Sequence, residues 1–137
     1  MDVKKWILAA IVFAIIAQIV YFIGAIIDMP YYLMQDYFSV WSKVMMPAAG
    51  PPPMTFFAFS IAFNFIAGLI FAGVYERIKS LLKGIQFGLA LFLVSTVPGM
   101  FSTYLTINLP AMLIASWAVQ GLVIFLLMGI AFEKILK

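Results

Sequence analysis

Five neutral polar side chains interrupt long apolar stretches of this sequence, and they are the residues best placed to do chemistry inside a membrane. They are Gln18, Asn64, Ser95, Thr96 and Gln120. Each lies near the middle of its apolar stretch, where an amide or hydroxyl turned toward lipid would leave polar atoms unpaired at substantial cost. We therefore predict that they point inward and form hydrogen bonds between helices. Our main interpretation is a structural polar layer that fixes helix register; the alternative is a small polar ligand site or a narrow hydrophilic path.

Several kinds of chemistry have no residues to support them. The sequence has no histidine and no cysteine, so the usual haem and zinc ligands and the thiolate nucleophile are lacking. The predicted spans contain no charged residue, whereas proton relays and ion-coupled transport usually depend on one. Asp28 and Asp36 fall on one predicted side, but Asp28 is predicted to cap a helix rather than to act as an acid or base. We predict no cofactor, no metal site and no enzymatic activity.

The elements that carry these residues are four long apolar segments. Hydrophobic residues make up 66% of the chain, charged residues 9%, and the mean hydropathy is +1.18, which is typical of an integral membrane protein. A helix needs roughly 20 apolar residues to cross a bilayer. The sequence therefore predicts an all-α membrane protein with one four-helix transmembrane domain. Its spans cover about residues 6–27, 55–75, 84–103 and 110–132.

Basic residues are concentrated on one side of the four predicted spans. Seven of the eight fall there, namely Lys4, Lys5, Arg77, Lys79, Lys83, Lys134 and Lys137. Only Lys43 is opposite. The positive-inside rule then places both chain termini in the cytoplasm. The net charge of +3 reflects this bias, so we expect a lipid bilayer as partner and no nucleic acid.

The outer segment, residues 28–54, is predicted to hold an interfacial helix in a loop that re-enters the membrane. Pro30 would open the helix, and polar residues recur at three- and four-residue steps from Gln35 to Lys43. Aromatic residues lie on the opposite face, and three of them are candidates for outer-surface contact: Tyr37, Phe38 and Trp41. Such a helix is expected to lie in the headgroup plane or across the mouth of the bundle. A simple anchor and a partner-docking surface are both consistent with this pattern.

Residues of the third and fourth segments also resemble a group of small four-helix prokaryotic membrane proteins of unknown function. The matching residues are Lys83, Gly84, Phe87, Gly88, Pro98, Tyr104, Pro110, Trp117 and Gly121. The resemblance implies a four-span topology and assigns no activity. Two functions stay open: a non-catalytic membrane building block, as a homo-oligomer or with other membrane subunits, and an oligomeric channel or transporter for a small neutral or weakly polar species.

Overall fold

The computed structural model describes residues 2–42, 45 and 52–137, apart from the side chain of Phe38, and this part of the chain is helical. Its elements are α1 (Val3–Tyr32), a 3₁₀ helix (Gln35–Val40), α2 (Met54–Ile78), α3 (Gly84–Leu91), a π-helical turn (Phe92–Thr96), α4 (Val97–Thr106) and α5 (Ala111–Ile135). The segments α3 and α4 are joined through the π-helical turn into one continuous helix of 23 residues, which is the third long helix of the chain. Four helices are thus long and apolar enough to cross a membrane, as predicted.

The outward faces of these helices are apolar. Phe22, Phe63, Leu105 and Met112, one from each long helix, are more than half exposed. A soluble monomer rarely exposes so much contiguous apolar surface, whereas hydrocarbon is a favourable surrounding for it. Composition and exposure together therefore indicate that lipid surrounds this bundle.

The first helix is longer than the sequence analysis predicted, and this corrects the role given to Asp28. The helix continues past Ile27 through Pro30 to Tyr32, so Asp28 lies inside it and does not cap a following helix. Proline is tolerated so close to the helix end because only the bond to the Ile26 carbonyl is lost. Asp28 thus lies one residue beyond the predicted span but inside a helix that is long and apolar enough to cross a membrane, and it is 1% exposed.

The π-helical turn has a local cause in Pro98. A proline ring clashes with the carbonyl four residues earlier, here that of Val94, and supplies no N–H to it. The Val97 N–H donates to the Phe92 carbonyl, five residues back, which widens the turn before the proline. The third span thereby passes the proline without ending.

The helices pack in the order α2, α1, α5, α3, with α4 against the opposite half of α5. The closest approach is between α3 and α5, where Gly84 and Gly129 face each other. A Cβ atom built on Gly84 would lie 2.0 Å from the Gly129 carbonyl oxygen, and one built on Gly88 would lie 2.2 Å from that of Phe125. Only glycine lets the two backbones come this close, which agrees with the small-residue packing common in membrane helices.

One end of the bundle, which we call the basic end, holds both chain termini and the turn between α2 and α3. There the Lys5 ammonium donates to the Lys137 carbonyl at 2.9 Å, and the Gly84 N–H donates to a Glu133 carboxylate oxygen at 2.8 Å. The Trp6 indole N–H donates to the Glu76 carboxylate. These bonds join the first, second and fourth long helices to the start of α3 and fix their relative height.

Two clusters of buried apolar residues lie along the bundle axis. The larger, toward the basic end, is built around Phe13, Tyr75, Phe87, Met128 and Phe132. The smaller, at the opposite end, consists of Leu109, Leu113 and Ile114 with partly buried aromatic residues around them. The hydrogen bonds from Gln18 to Ser60 and from Gln120 to Asp28 lie between these two clusters.

Candidate functional site

The predicted polar layer divides into two separate groups, and the first joins α1 to α2. The Gln18 amide donates to the Ser60 hydroxyl oxygen at 2.8 Å. The Asn64 amide donates to the same oxygen at a longer 3.4 Å, and Asn64 is 7% exposed. Ser60 thus accepts from two amides on neighbouring helices. Gln18 therefore bonds across to α2, whereas the buried Asn64 bonds within its own helix.

The second group joins α1 to α5 and is centred on Asp28. The Gln120 amide nitrogen donates to Asp28 Oδ2 at 2.9 Å and to the Ser116 hydroxyl at 3.2 Å. Gln120 can reach across because it lies over Gly24, where a Cβ would fall 2.1 Å from the Gln120 amide oxygen. Gln120 therefore points inward as predicted, but its partner is a carboxyl group that the sequence analysis had assigned to a helix end.

An aromatic cluster lies beyond Asp28, toward the smaller apolar cluster. Tyr32 lies one helical turn beyond Asp28 on α1, and its hydroxyl accepts a hydrogen bond from the Trp117 indole N–H at 3.0 Å. Trp41, which follows the 3₁₀ helix, packs edge-on against both rings, with centroid distances of 5.3 Å to Tyr32 and 6.2 Å to Trp117. We call Asp28, Gln120 and these three aromatic residues the carboxyl–aromatic site.

Two polar atoms of this site have no hydrogen-bond partner among the residues that the structure describes. They are Asp28 Oδ1 and the indole nitrogen of Trp41, and both are buried. A buried acceptor and a buried donor without partners each cost free energy comparable to a lost hydrogen bond. Unpaired groups of this kind in a packed interior are therefore the clearest indication of a binding role in this chain.

Ser95 and Thr96, the remaining two residues of the predicted layer, form no side-chain hydrogen bond to another helix among the described residues. Ser95 is exposed on the outer surface of the third span, so the prediction that it points inward is wrong. Its hydroxyl donates to its own helix, to the Leu91 carbonyl at 2.5 Å, and therefore needs no partner helix in lipid. Thr96 does face α5, where its methyl group packs on Gly121.

Of the three candidates for outer-surface contact, Tyr37 and Trp41 are described with their side chains and Phe38 is not. Tyr37 and Trp41 are partly buried against the cluster of Leu109, Leu113 and Ile114, so they pack onto the bundle rather than stand free of it. The side chain of Phe38 lies outside the described residues. The predicted interfacial helix is represented in the described part by the six-residue 3₁₀ helix Gln35–Val40.

Two open grooves run along the outer surface between α1 and α2, and both are almost wholly apolar. Their volumes are about 330 and 370 Å³, and they share Gln18 and Ile19. Gln18 contributes almost no polar surface to either, since its amide is turned to Ser60. Such grooves fit acyl chains and offer no polar path across the bundle.

The position of Asp28 was not predicted, because a charged residue followed closely by a proline is typical of the end of a membrane span. One signal could have identified it: Gly24, Asp28 and Tyr32 follow one another at four-residue steps, which puts them on one face of a helix. The other signal was Gln120, an amide that needed an inward partner.

Among the residues that the structure describes, Asp28 has no basic side chain as a hydrogen-bond partner, and no group of three or more potential metal ligands occurs there. Comparison with known proteins adds nothing further: no family model, no curated protein and no solved structure matches this chain.

Proposed function

We propose that this chain is a non-catalytic integral membrane building block, either self-associating or an accessory subunit of a larger membrane complex. The observation that carries the proposal is the pairing of its amide side chains within the bundle: Gln18 and Asn64 with Ser60, and Gln120 with Asp28. Gln18 and Gln120 bond to side chains of other helices and Asn64 to one of its own helix, and amides paired in this way favour a rigid shape over a polar path for a substrate.

The proposal includes an orientation, with both termini and the turn between α2 and α3 in the cytoplasm and the 3₁₀ helix at the outer headgroup level. It rests on the basic residues at one end of the bundle. The chain has no cysteine, so single-cysteine variants are clean probes. A membrane-impermeant maleimide applied to intact cells is expected to label Asn108→Cys and to leave Lys137→Cys unlabelled. The reverse pattern would invert the topology.

The building-block role is tested by isolating the protein from native membranes in mild detergent and weighing the complexes by native mass spectrometry. A stable homo-oligomer, or a complex with other membrane proteins, is expected. A matched triple variant with Leu at Gln18, Asn64 and Gln120 is expected to lose that assembly and to melt earlier. A strictly monomeric wild-type protein that copurifies with nothing would refute the proposal.

A second candidate, an oligomeric channel or transporter for a small species, is favoured by one observation. The Asp28 carboxyl lies deep between α1 and α5 with one oxygen unpaired, and ionisable groups at such positions commonly mark the pathways of transporters. Proteoliposome flux assays test it. Flux that is lost in Asp28→Asn but kept in Asp36→Asn would favour transport over the building-block role.

A further inference from the structure

We propose that the carboxyl–aromatic site binds a small alkylammonium cation, with the cation's N–H groups donating to Asp28 Oδ1. The inference concerns binding alone and goes beyond the building-block role, because it holds whatever the oligomeric state of the protein. It begins from the carboxyl group itself. Asp28 is 1% exposed and its Oδ2 is already bonded to Gln120, while Oδ1 is buried and without a partner among the described residues.

The charge of the expected ligand follows from the surroundings of this carboxyl group. Among the described residues its hydrogen-bond donor is the Gln120 amide, which is neutral. Buried carboxylates are normally paired with a cation or bound to a metal. A monocation that carries an N–H donor supplies both the missing charge and the missing hydrogen bond to Oδ1.

The aromatic residues select among cations. Tyr32, Trp41 and Trp117 pack together one turn beyond Asp28, and aromatic faces attract organic cations, with tryptophan the strongest. A metal ion would instead need several oxygen ligands, and this site offers one free carboxylate oxygen. An ammonium group on a short alkyl chain matches both features, because its head pairs with Asp28 and its methylene groups contact the rings.

Trp41 is the ring that we expect to move when a ligand reaches Asp28, since it packs against Tyr32 and Trp117. The Tyr32 and Trp117 rings are tied together by a hydrogen bond, but the Trp41 indole N–H has no partner in the part of the chain that the structure describes. Displacing the Trp41 ring breaks packing contacts and no side-chain hydrogen bond. We therefore expect the ligand to enter from the end of the bundle that carries the 3₁₀ helix and to move Trp41 aside.

The test is a titration of the purified protein in nanodiscs of zwitterionic lipid with ethylammonium chloride, followed by calorimetry and tryptophan fluorescence. Sodium chloride and tetramethylammonium chloride are titrated in parallel. The wild-type protein is expected to bind ethylammonium and to bind the other two at least about tenfold more weakly, because neither donates an N–H to Oδ1. No binding of ethylammonium by the wild-type protein, or equal binding of all three salts, would overturn the proposal.

Three variants locate the site. Asp28→Asn keeps the shape and removes the charge, so it is expected to weaken ethylammonium binding at least about tenfold, whereas Asp36→Asn, an exposed carboxyl in the 3₁₀ helix, should bind as the wild type does. Trp41→Phe is expected to keep the calorimetric signal and to lose most of the fluorescence change. Unaltered binding by Asp28→Asn, or an unaltered fluorescence change in Trp41→Phe, would contradict the site. None of these readouts depends on oligomeric state, so they are independent of the building-block test.

Discussion

Replacing Gly88 with alanine should force α3 away from α5, and the size of the effect follows from one distance. The new Cβ would lie 2.2 Å from the Phe125 carbonyl oxygen, and real Cβ contacts are not shorter than 3.0 Å, so the two backbones must separate by about 0.8 Å, the difference of these values. The obstacle is backbone and cannot rotate away. Overpacking of this kind costs about 1–3 kcal/mol. Because helices persist in the unfolded state of a membrane protein, the better helix propensity of alanine offsets little of that cost.

The matched control is Gly99→Ala, in the same long helix. A Cβ at Gly99 meets nothing within 4 Å. The free energy of unfolding of this variant should therefore equal that of the wild type or exceed it by up to about 1 kcal/mol. Unfolding is followed in mixed micelles of mild detergent and SDS by tryptophan fluorescence, and the midpoints give the difference in free energy. If Gly88→Ala were as stable as Gly99→Ala, the close contact between α3 and α5 would be refuted.

Three further experiments test polar contacts by the same unfolding assay. A double-mutant cycle of Gln18→Leu and Ser60→Ala should give a coupling of about 0.6–2 kcal/mol, and additive effects would mean that these two side chains do not interact. Trp6→Phe, which loses the bond to Glu76, should cost about 1 kcal/mol, and no change would show that water replaces this partner fully. Tyr32→Phe leaves the indole N–H of its partner without an acceptor and should cost about 1–3 kcal/mol; an unchanged midpoint would argue against that hydrogen bond.

Much of the fold could be predicted because the constraints on membrane helices are strong and local. Backbone polar groups in lipid must be satisfied within the segment, so a long apolar run is almost always a helix. Four helices long and apolar enough to cross a membrane were predicted on this basis and are confirmed. Their ends were less predictable. Pro30 falls inside α1 and Pro98 inside the third span, because a terminal turn and a π-helical turn each accommodate the missing N–H.

The candidate site was predictable only in part, because its contacts join distant parts of the sequence. An uncharged amide at mid-span has to find a partner, and this placed Gln18, Asn64 and Gln120 correctly. The identity of the partner depends on helix order and height, and Asp28 is 92 residues from Gln120. Ser95 does not follow this expectation, because a serine hydroxyl can donate its hydrogen bond to a backbone carbonyl of its own helix and then needs no partner on another helix.

The position of the two polar groups on α1 explains why they hold the bundle in one arrangement. Gln18 and Asp28 are ten residues apart, and at about 100° per residue they leave the helix axis about 80° apart. Gln18 therefore faces α2 while Asp28 faces α5. A shift of α1 by a single residue would turn it by about 100° and unpair both side chains at once. Apolar contacts with lipid-like surroundings cannot impose this selectivity, since hydrocarbon is as good a neighbour as leucine. The register of α1 thus depends in part on these two hydrogen-bonded groups, and in the second of them Asp28 Oδ1 has no partner among the described residues.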